Sequence, residues 1–386
     1  MTYLYGMKRV LSILLPFLLC IPMIAQQTFR ARVIDIKTSK ALPYVKVVAP
    51  GCKIITNREG EFAMQLQPHD KVRISCVGYE TISLHASDLS SQVRMQPYTL
   101  VRSDTSSAMI DKMLYKLQKH LYLEFENRKN RKRDFYYHFA TTNDGHHLMA
   151  DAFVKASVTL NLRNLDFIHG RIYSETQSHV ESENASHELS SLYINNFLSM
   201  GPLVKGVAFL FYIQKPFDPN FINKHVSRSY HLRCDELRSA KGETIYKISM
   251  QPRERRNFDD ETEIIRQGSL ILYPLQGEFE GNLYLSKSNR MLAFDGEVLD
   301  YIVKLSEESS KAPAYCKVHV DYAYSNGATE VEAAYCSLRY PKIESHVMMC
   351  NKRILGLSYK DFIQPKKASF LTLTEMEERI AKRNRE

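Results

Sequence analysis

The chain of 386 residues carries 52 Lys and Arg against 43 Asp and Glu, a net charge of +9, and its composition is that of a globular protein long enough for two or three domains with cores of their own. Seven cysteines without a CxxC spacing exclude a zinc knuckle, a thioredoxin-type redox pair and a disulfide scaffold. The 23 Tyr and 18 Phe, with no Trp, suit β structure.

Lys8-Arg9 stand before an uncharged apolar run, Val10 to Ile24, and Ala25 precedes Gln26-Gln27. The run is too short and too proline-interrupted to span a bilayer, so residues 1–25 are expected to be a cleaved signal peptide, with Met7 as an alternative start. Cys20 lacks the small preceding residues of a lipoprotein signal. The mature chain is therefore expected to be exported, periplasmic or associated with the outer membrane. Cleavage leaves Cys52, Cys76, Cys234, Cys316, Cys336 and Cys350.

Residues 26–100 alternate as short strands with turn punctuation. Phe29, Ala31 and Val33 alternate with Arg30 and Arg32, Pro43 opens the next strand, and Gly78 marks a bulge or bend. Between Ile55 and Phe62 the apolar pattern breaks at Thr56-Asn57-Arg58-Glu59-Gly60, a loop expected to be a hairpin corner. The order ARVID, LPYVKV, TNREGEFAM, VRISCVGYET resembles the carboxypeptidase-like regulatory domain. The matching residues are Val33, Asp35, Leu42-Pro43, Val45, Val47, Thr56-Asn57, Gly60, Phe62, Ile74-Ser75 and Gly78-Tyr79, while Ala31 stands where that family usually has Gly. The resemblance implies a seven-stranded, transthyretin-like β-sandwich without catalytic residues, of the kind that precedes many TonB-dependent receptors and other envelope proteins. Its core is expected from Phe29, Val33, Val45, Val47, Phe62, Ile74 and Tyr79.

Residues 101–133 read as an amphipathic helix and a basic linker. Met109/Ile110, Met113/Leu114, Leu117 and Leu121 recur at helical spacing, Asp104 or Ser106 can cap, and Arg128 to Arg133 read as a solvated connection to the next strand, with binding of nucleic-acid or anionic-lipid phosphates as the alternative. From 134 to 365 an antiparallel β-rich domain is expected, with hairpin turns at LSKSNRML and YSNGAT and one helical insert between His187 and Ile213. Lys205 at the centre of the apolar run Phe197 to Ile213 favours a buried helix over a membrane span. GNLYLSKSNRMLAFDGEV is similar in pattern to periplasmic antiparallel half-barrels such as the lipoprotein carrier fold. Residues 366–386 read as a charged helical tail.

Zinc carboxypeptidases hold their metal with His-x-x-Glu, and none of the 13 histidines has Glu three residues later. His85 and Asp88 have the nearest spacing, and a solvated strand end explains them. His179, Glu181, Glu183 and His187 are the remaining metal candidate, set against an exposed acidic loop, and His146-His147 read as turn histidines. No Gly-x-Ser-x-Gly, Walker loop or Gly-x-Gly-x-x-Gly occurs.

The chain is thus expected to be mainly β: a small N-terminal sandwich, a linker helix, and a larger antiparallel domain with a helical insert. No catalytic, cofactor-binding or metal residue is assigned, and no cofactor. The expected function is a non-catalytic exported envelope protein whose second domain binds another envelope protein or an apolar ligand. The alternative is a hydrolase with its site in residues 134–365, betrayed by histidine and carboxylate converging in one cleft. No nucleic-acid partner is expected; peripheral membrane association stays open. Between Cys316 and Cys336, a two-residue Asn326-Gly327 turn predicts Tyr322 opposite Val331, Val318 opposite Tyr335 and no disulfide.

Overall fold

Period-two alternation builds the first part of the protein. Its structure, a computed structural model, describes residues 27–50, 52–57, 59–124, 131–143, 146–158, 162–174, 180–181, 230–253, 265–267, 270–272, 279–303, 312–339 and 343–351. The leader, the insert expected within 187–213 and the tail 366–386 lie outside these residues.

The first seven strands are β1 (Gln27–Asp35), β2 (Lys46–Ala49), β3 (Cys52–Ile55), β4 (Glu61–Leu66), β5 (Lys71–Ser75), β6 (Ile82–His85) and β7 (Gln92–Met95). They form a three-stranded sheet in the order β4-β1-β7 and a four-stranded sheet in the order β3-β2-β5-β6. Val33, Val45, Val47, Phe62 and Ile74 are buried in one shared core, and Phe29 and Tyr79 pack at its margin. Each fully buried side chain of this kind contributes roughly 1.5–3 kcal/mol. The Tyr79 hydroxyl donates to Asp35 Oδ2 at 2.9 Å, while Asp35 Oδ1 accepts the Lys37 and Thr38 amides.

The loop after Ile55 is not a hairpin corner. β3 and β4 belong to different sheets, so the chain crosses from one layer to the other. Thr56 Oγ1 accepts the Val45 amide at 2.8 Å and donates to the Leu42 carbonyl. Asn57 Oδ1 accepts the Glu59 and Glu61 amides at 3.1 and 2.7 Å. Gly60 sits at φ +75°, where a Cβ would lie 2.6 Å from the Val33 carbonyl oxygen.

The second part is one antiparallel sheet of 12 strands. It contains β8 (Thr99–Asp104), β9 (Lys132–Asn143), β10 (His146–Val158), β11 (Leu162–Ser174), β12 (Val180–Glu181), β13 (Tyr230–Arg238) and β14 (Thr244–Pro252). β15 (Ile265–Gln267) and β16 (Leu270–Leu272) pair separately. β17 (Phe279–Ser286), β18 (Met291–Val303), β19 (Ala312–Ser325), β20 (Ala328–Arg339) and β21 (Ile343–Asn351) complete the large sheet. Its order is β12-β11-β10-β9-β21-β20-β19-β18-β17-β14-β13-β8. Thr99 and Leu100, expected to close the sandwich, instead begin its edge strand β8.

Helix α1 (Ser107–Leu123) lies on this sheet rather than in a free linker. Asp104 Oδ1 accepts the Ser106 amide at its entry, and Ile110, Met113, Leu114, Leu117 and Leu121 are buried. Met113 Sδ is 3.9 Å from Cys234 Sγ on β13. At the other end buried Glu124 accepts from Arg290 at 2.8 Å and from the Thr329 amide at 2.8 Å. The basic run is not wholly solvated either: Arg131 and Arg133 both reach Glu330 Oε1, at 2.9 and 3.2 Å.

The YSNGAT turn forms as expected, with Asn326 and Gly327 at φ 51° and 79° and Tyr322 opposite Val331. Beyond Tyr322 the register slips. Glu332 is an extra residue on β20, so Asp321 faces Ala333 and Val318 faces Cys336, not Tyr335. Cys316 lies opposite Leu338, and the two cysteines are not cross-strand partners.

Gly60→Ala should destabilise the protein by more than about 1 kcal/mol, because it combines a left-handed φ with a backbone clash. An unchanged urea midpoint would contradict the account of this loop.

Candidate functional site

The 12-stranded sheet separates its polar and apolar residues by face. Ser249, Asn282, Asp295, His319 and Tyr335 lie directly opposite one another across β14, β17, β18, β19 and β20. One position along, on the other face, Ile248, Leu283, Phe294, Val320, Ala334 and Met349 form a buried row toward α1. Within the polar row Ser249 Oγ donates to Asn282 Oδ1, and Asn282 Nδ2 donates to Asp295 Oδ1, each at 2.8 Å.

The sandwich sits on the polar face. Tyr44, held at φ 62°, stacks on Tyr335 with centroids 3.8 Å apart and reaches His319 at 6.2 Å. Ile55 packs with Tyr136, Ala333, Tyr335, Met348 and Cys350. Beside this apolar contact, the Lys46 ammonium bonds Glu332 and lies 3.8 Å from Asp321 Oδ2. His319 Nε2 is 3.3 Å from Asp321 Oδ1. The bulge makes this meeting possible: the extra residue places the Glu332 carboxylate beside Lys46 while Ala333 and Tyr335 keep facing the sandwich.

Opposite charges meet in this cluster. Burial alone would lower the Lys46 pKa, but Asp321 and Glu332 outweigh it and raise it above its ordinary value. Burial would raise Asp321, yet Lys46 and then His319 hold it below the usual carboxylate range. For His319, burial lowers and Asp321 raises, and the net direction is up.

A histidine oriented by a carboxylate is the core of a triad, and this convergence is the signature set above for the hydrolase alternative. The pair lies beneath the sandwich, however, and the neighbouring thiols are held protonated. Burial and then the Asp321 charge push Cys76 up to about 12 against the opposing pull of Lys46. Burial also pushes Cys350 well above its ordinary value. The arrangement is that of a charged weld.

The other residues singled out in the sequence lie elsewhere. His85 Nδ1 contacts the His69 carbonyl at 3.0 Å at an exposed strand end. Val180 and Glu181 form β12, while His179, Glu183 and His187 lie outside the described residues. His146 and His147 open β10. Among the described residues no group of three or more His, Cys, Asp or Glu is placed to hold a metal ion, and no helix is long and apolar enough to cross a membrane. The His319–Asp321 spacing, two apart on a strand, was visible in the sequence; its link to Lys46, 273 positions away from His319, was not.

Lys46→Met should destabilise the protein by on the order of 3 kcal/mol, since it strands buried Asp321 with only His319 to offset it. Chemical unfolding measures this, and a loss within about 0.5 kcal/mol, the scatter of ordinary surface changes, would refute the weld. The His319 contribution has a definite sign. Its folded pKa exceeds the ordinary 6.5, so its stabilisation is complete below 6.5 and disappears as pH rises through the folded value. The stability gap between native protein and His319→Gln should therefore narrow on raising the pH; a gap that widens would contradict the pairing with Asp321.

No protein-family model matches the sequence, and no curated protein matches it. Among solved structures, a DUF1329 family protein from Desulfovibrio piger is similar at 10% identity and a TM-score of 0.21, covering 66% of this chain and 97% of that one. A putative outer membrane lipoprotein-sorting protein domain from Vibrio parahaemolyticus is similar at 9% identity and a TM-score of 0.18, with the same coverage of 66% and 97%.

Proposed function

We propose that the protein is a non-catalytic, exported binding protein of the cell envelope, in which a carboxypeptidase-like regulatory sandwich braces a large sheet that takes an apolar ligand. Export rests on the leader-like residues 1–25. The sandwich assignment rests on seven strands in two sheets around the expected core.

The observation that carries the ligand is the amount of apolar sheet. Next to the buried row toward α1, the backbone register aligns a further set of apolar residue types and glycines: Leu232, Met250, Gly281, Gly296, Val318, Cys336, Val347, Phe139, Ala150, Ile172 and Val180, across 11 strands. The 12 strands at roughly 4.8 Å spacing extend over about 55 Å, whereas α1 is about 25 Å long. Among the described residues one helix covers about half of that face.

The mature chain should bind a fluorescent fatty-acid probe with micromolar affinity. Displacing acyl chains should tighten by roughly fourfold per added methylene, the equivalent of about 0.8 kcal/mol per buried CH₂. Absence of binding, or affinity independent of chain length, would overturn the reading. The His319–Asp321 pair favours the hydrolase alternative, which would be established by ester or peptide turnover that His319→Gln abolishes.

A further inference from the structure

A cleft of about 470 Å³ opens at the end of the large sheet where β13 starts, β14 ends and β17 starts, beside Thr105 and Ser107 at the start of α1. Its size falls within the range of small-molecule sites. Its lining is drawn from both faces of the sheet. Leu232, Met250 and Gly281 stand in register on the face that carries α1. Arg233, Ser249 and Asn282 stand in register one position along, on the polar face. The cleft therefore lies where the apolar face meets water.

The polar lining selects against a net charge. Lys247 stands directly opposite Asp235, which also holds Arg233 at 3.1 Å, so these cations already have a counter-charge. Arg253 Nε donates to the Tyr230 carbonyl at 3.1 Å. The Glu280 carboxylate, which accepts from Gln251 Nε2 at 3.2 Å, repels an anionic head, and Arg233, Lys247 and Arg253 repel a cationic one. What remains is hydrogen bonding. Ser249 Oγ donates to Asn282 Oδ1 and Asn282 Nδ2 to Asp295 Oδ1, each at 2.8 Å, which fixes the orientation of both groups. The Ser249 hydroxyl keeps acceptor capacity, and the Asn282 and Gln251 amides are donors and acceptors at once. A ligand hydroxyl, which also does both, matches this mixture.

We propose that the cleft holds the uncharged, hydroxyl-bearing head of an amphiphile, a glycerol monoester in chemical class, whose chain continues past Leu232 and Met250 onto the apolar face. Ser249, Gln251 and Asn282 bind the hydroxyls. This assignment rests on the reading of the apolar face as an acyl-chain site and adds the head group that it takes.

Calorimetry on the mature chain with glycerol monolaurate and with laurate, both below their micellar concentrations, tests this. The monoester should bind about tenfold or more tighter than laurate, which carries the same chain on a charged head. Ser249→Ala and Gln251→Ala should each lower the monoester affinity by roughly threefold to tenfold and leave that of laurate unchanged. Lys317→Gln, remote on β19 and paired with Glu297 at 3.6 Å, should change neither. Circular dichroism should report the native fold for all three variants. Laurate binding as tightly as the monoester, or a full monoester preference in Ser249→Ala and Gln251→Ala, overturns the head-group assignment and leaves the acyl-chain reading standing. If neither ligand binds, the acyl-chain reading falls and the head-group assignment falls with it.

Discussion

The Lys46 ammonium fixes how the two halves of this protein meet. An unpaired lysine so placed would cost several kcal/mol, and so would unpaired Asp321. Brought together with Glu332 and His319, these charges offset one another across the contact between sandwich and sheet. The apolar contact of Tyr44 and Ile55 with Tyr136, Tyr335 and Met348 supplies adhesion. The ionic cluster supplies register, since an apolar patch alone tolerates sliding and a buried ion pair does not.

That docking makes the large sheet a two-sided device. Its polar face carries the sandwich and continues outward through Asp295, Asn282 and Ser249. Its apolar face carries α1, moored at both ends. Met113 meets Cys234 on β13, and Glu124 joins Arg290 and Thr329 across two hairpin turns. The Arg290 guanidinium also lies 3.4 Å from the centroid of the Tyr324 ring, so one arginine serves both the helix and the hairpin.

The sandwich core was legible because strands with one solvated face tend to alternate, and Val33, Val45, Val47, Phe62 and Ile74 stand at the inward positions, although Ile34 and Ala63 between them are buried too. The Asn57–Gly60 segment was legible as a turn but not as a layer crossing, because left-handed backbone and side-chain caps serve both equally. The bulge at Glu332 left no mark, since alternating acid and apolar residues fit either register. The weld was hidden for a deeper reason. Period-two reading assigns Asp295, His319 and Asp321 to a face turned toward water, and only the tertiary fold reveals that another layer covers it. Arg131 and Arg133 escaped in the same way: their partner Glu330 lies 199 positions beyond Arg131.

The strand order dictates how this sheet must assemble in time. β9 lies beside β21, with Asn143 opposite Ile343, 200 positions later, and β8 lies beside β13, with Asp104 opposite Cys234. A chain emerging from its N-terminus makes the sandwich first, from local contacts. It then waits with the edge of β8 open until β13 is made, and that of β9 open until the last strand, β21, arrives. Such long-range pairing is slow, because loop closure must precede any reward from the contacts it brings together. During that interval the finished sandwich is the template: Tyr44, Lys46 and Ile55 already stand in place, and each late hairpin that reaches them is captured in its final register.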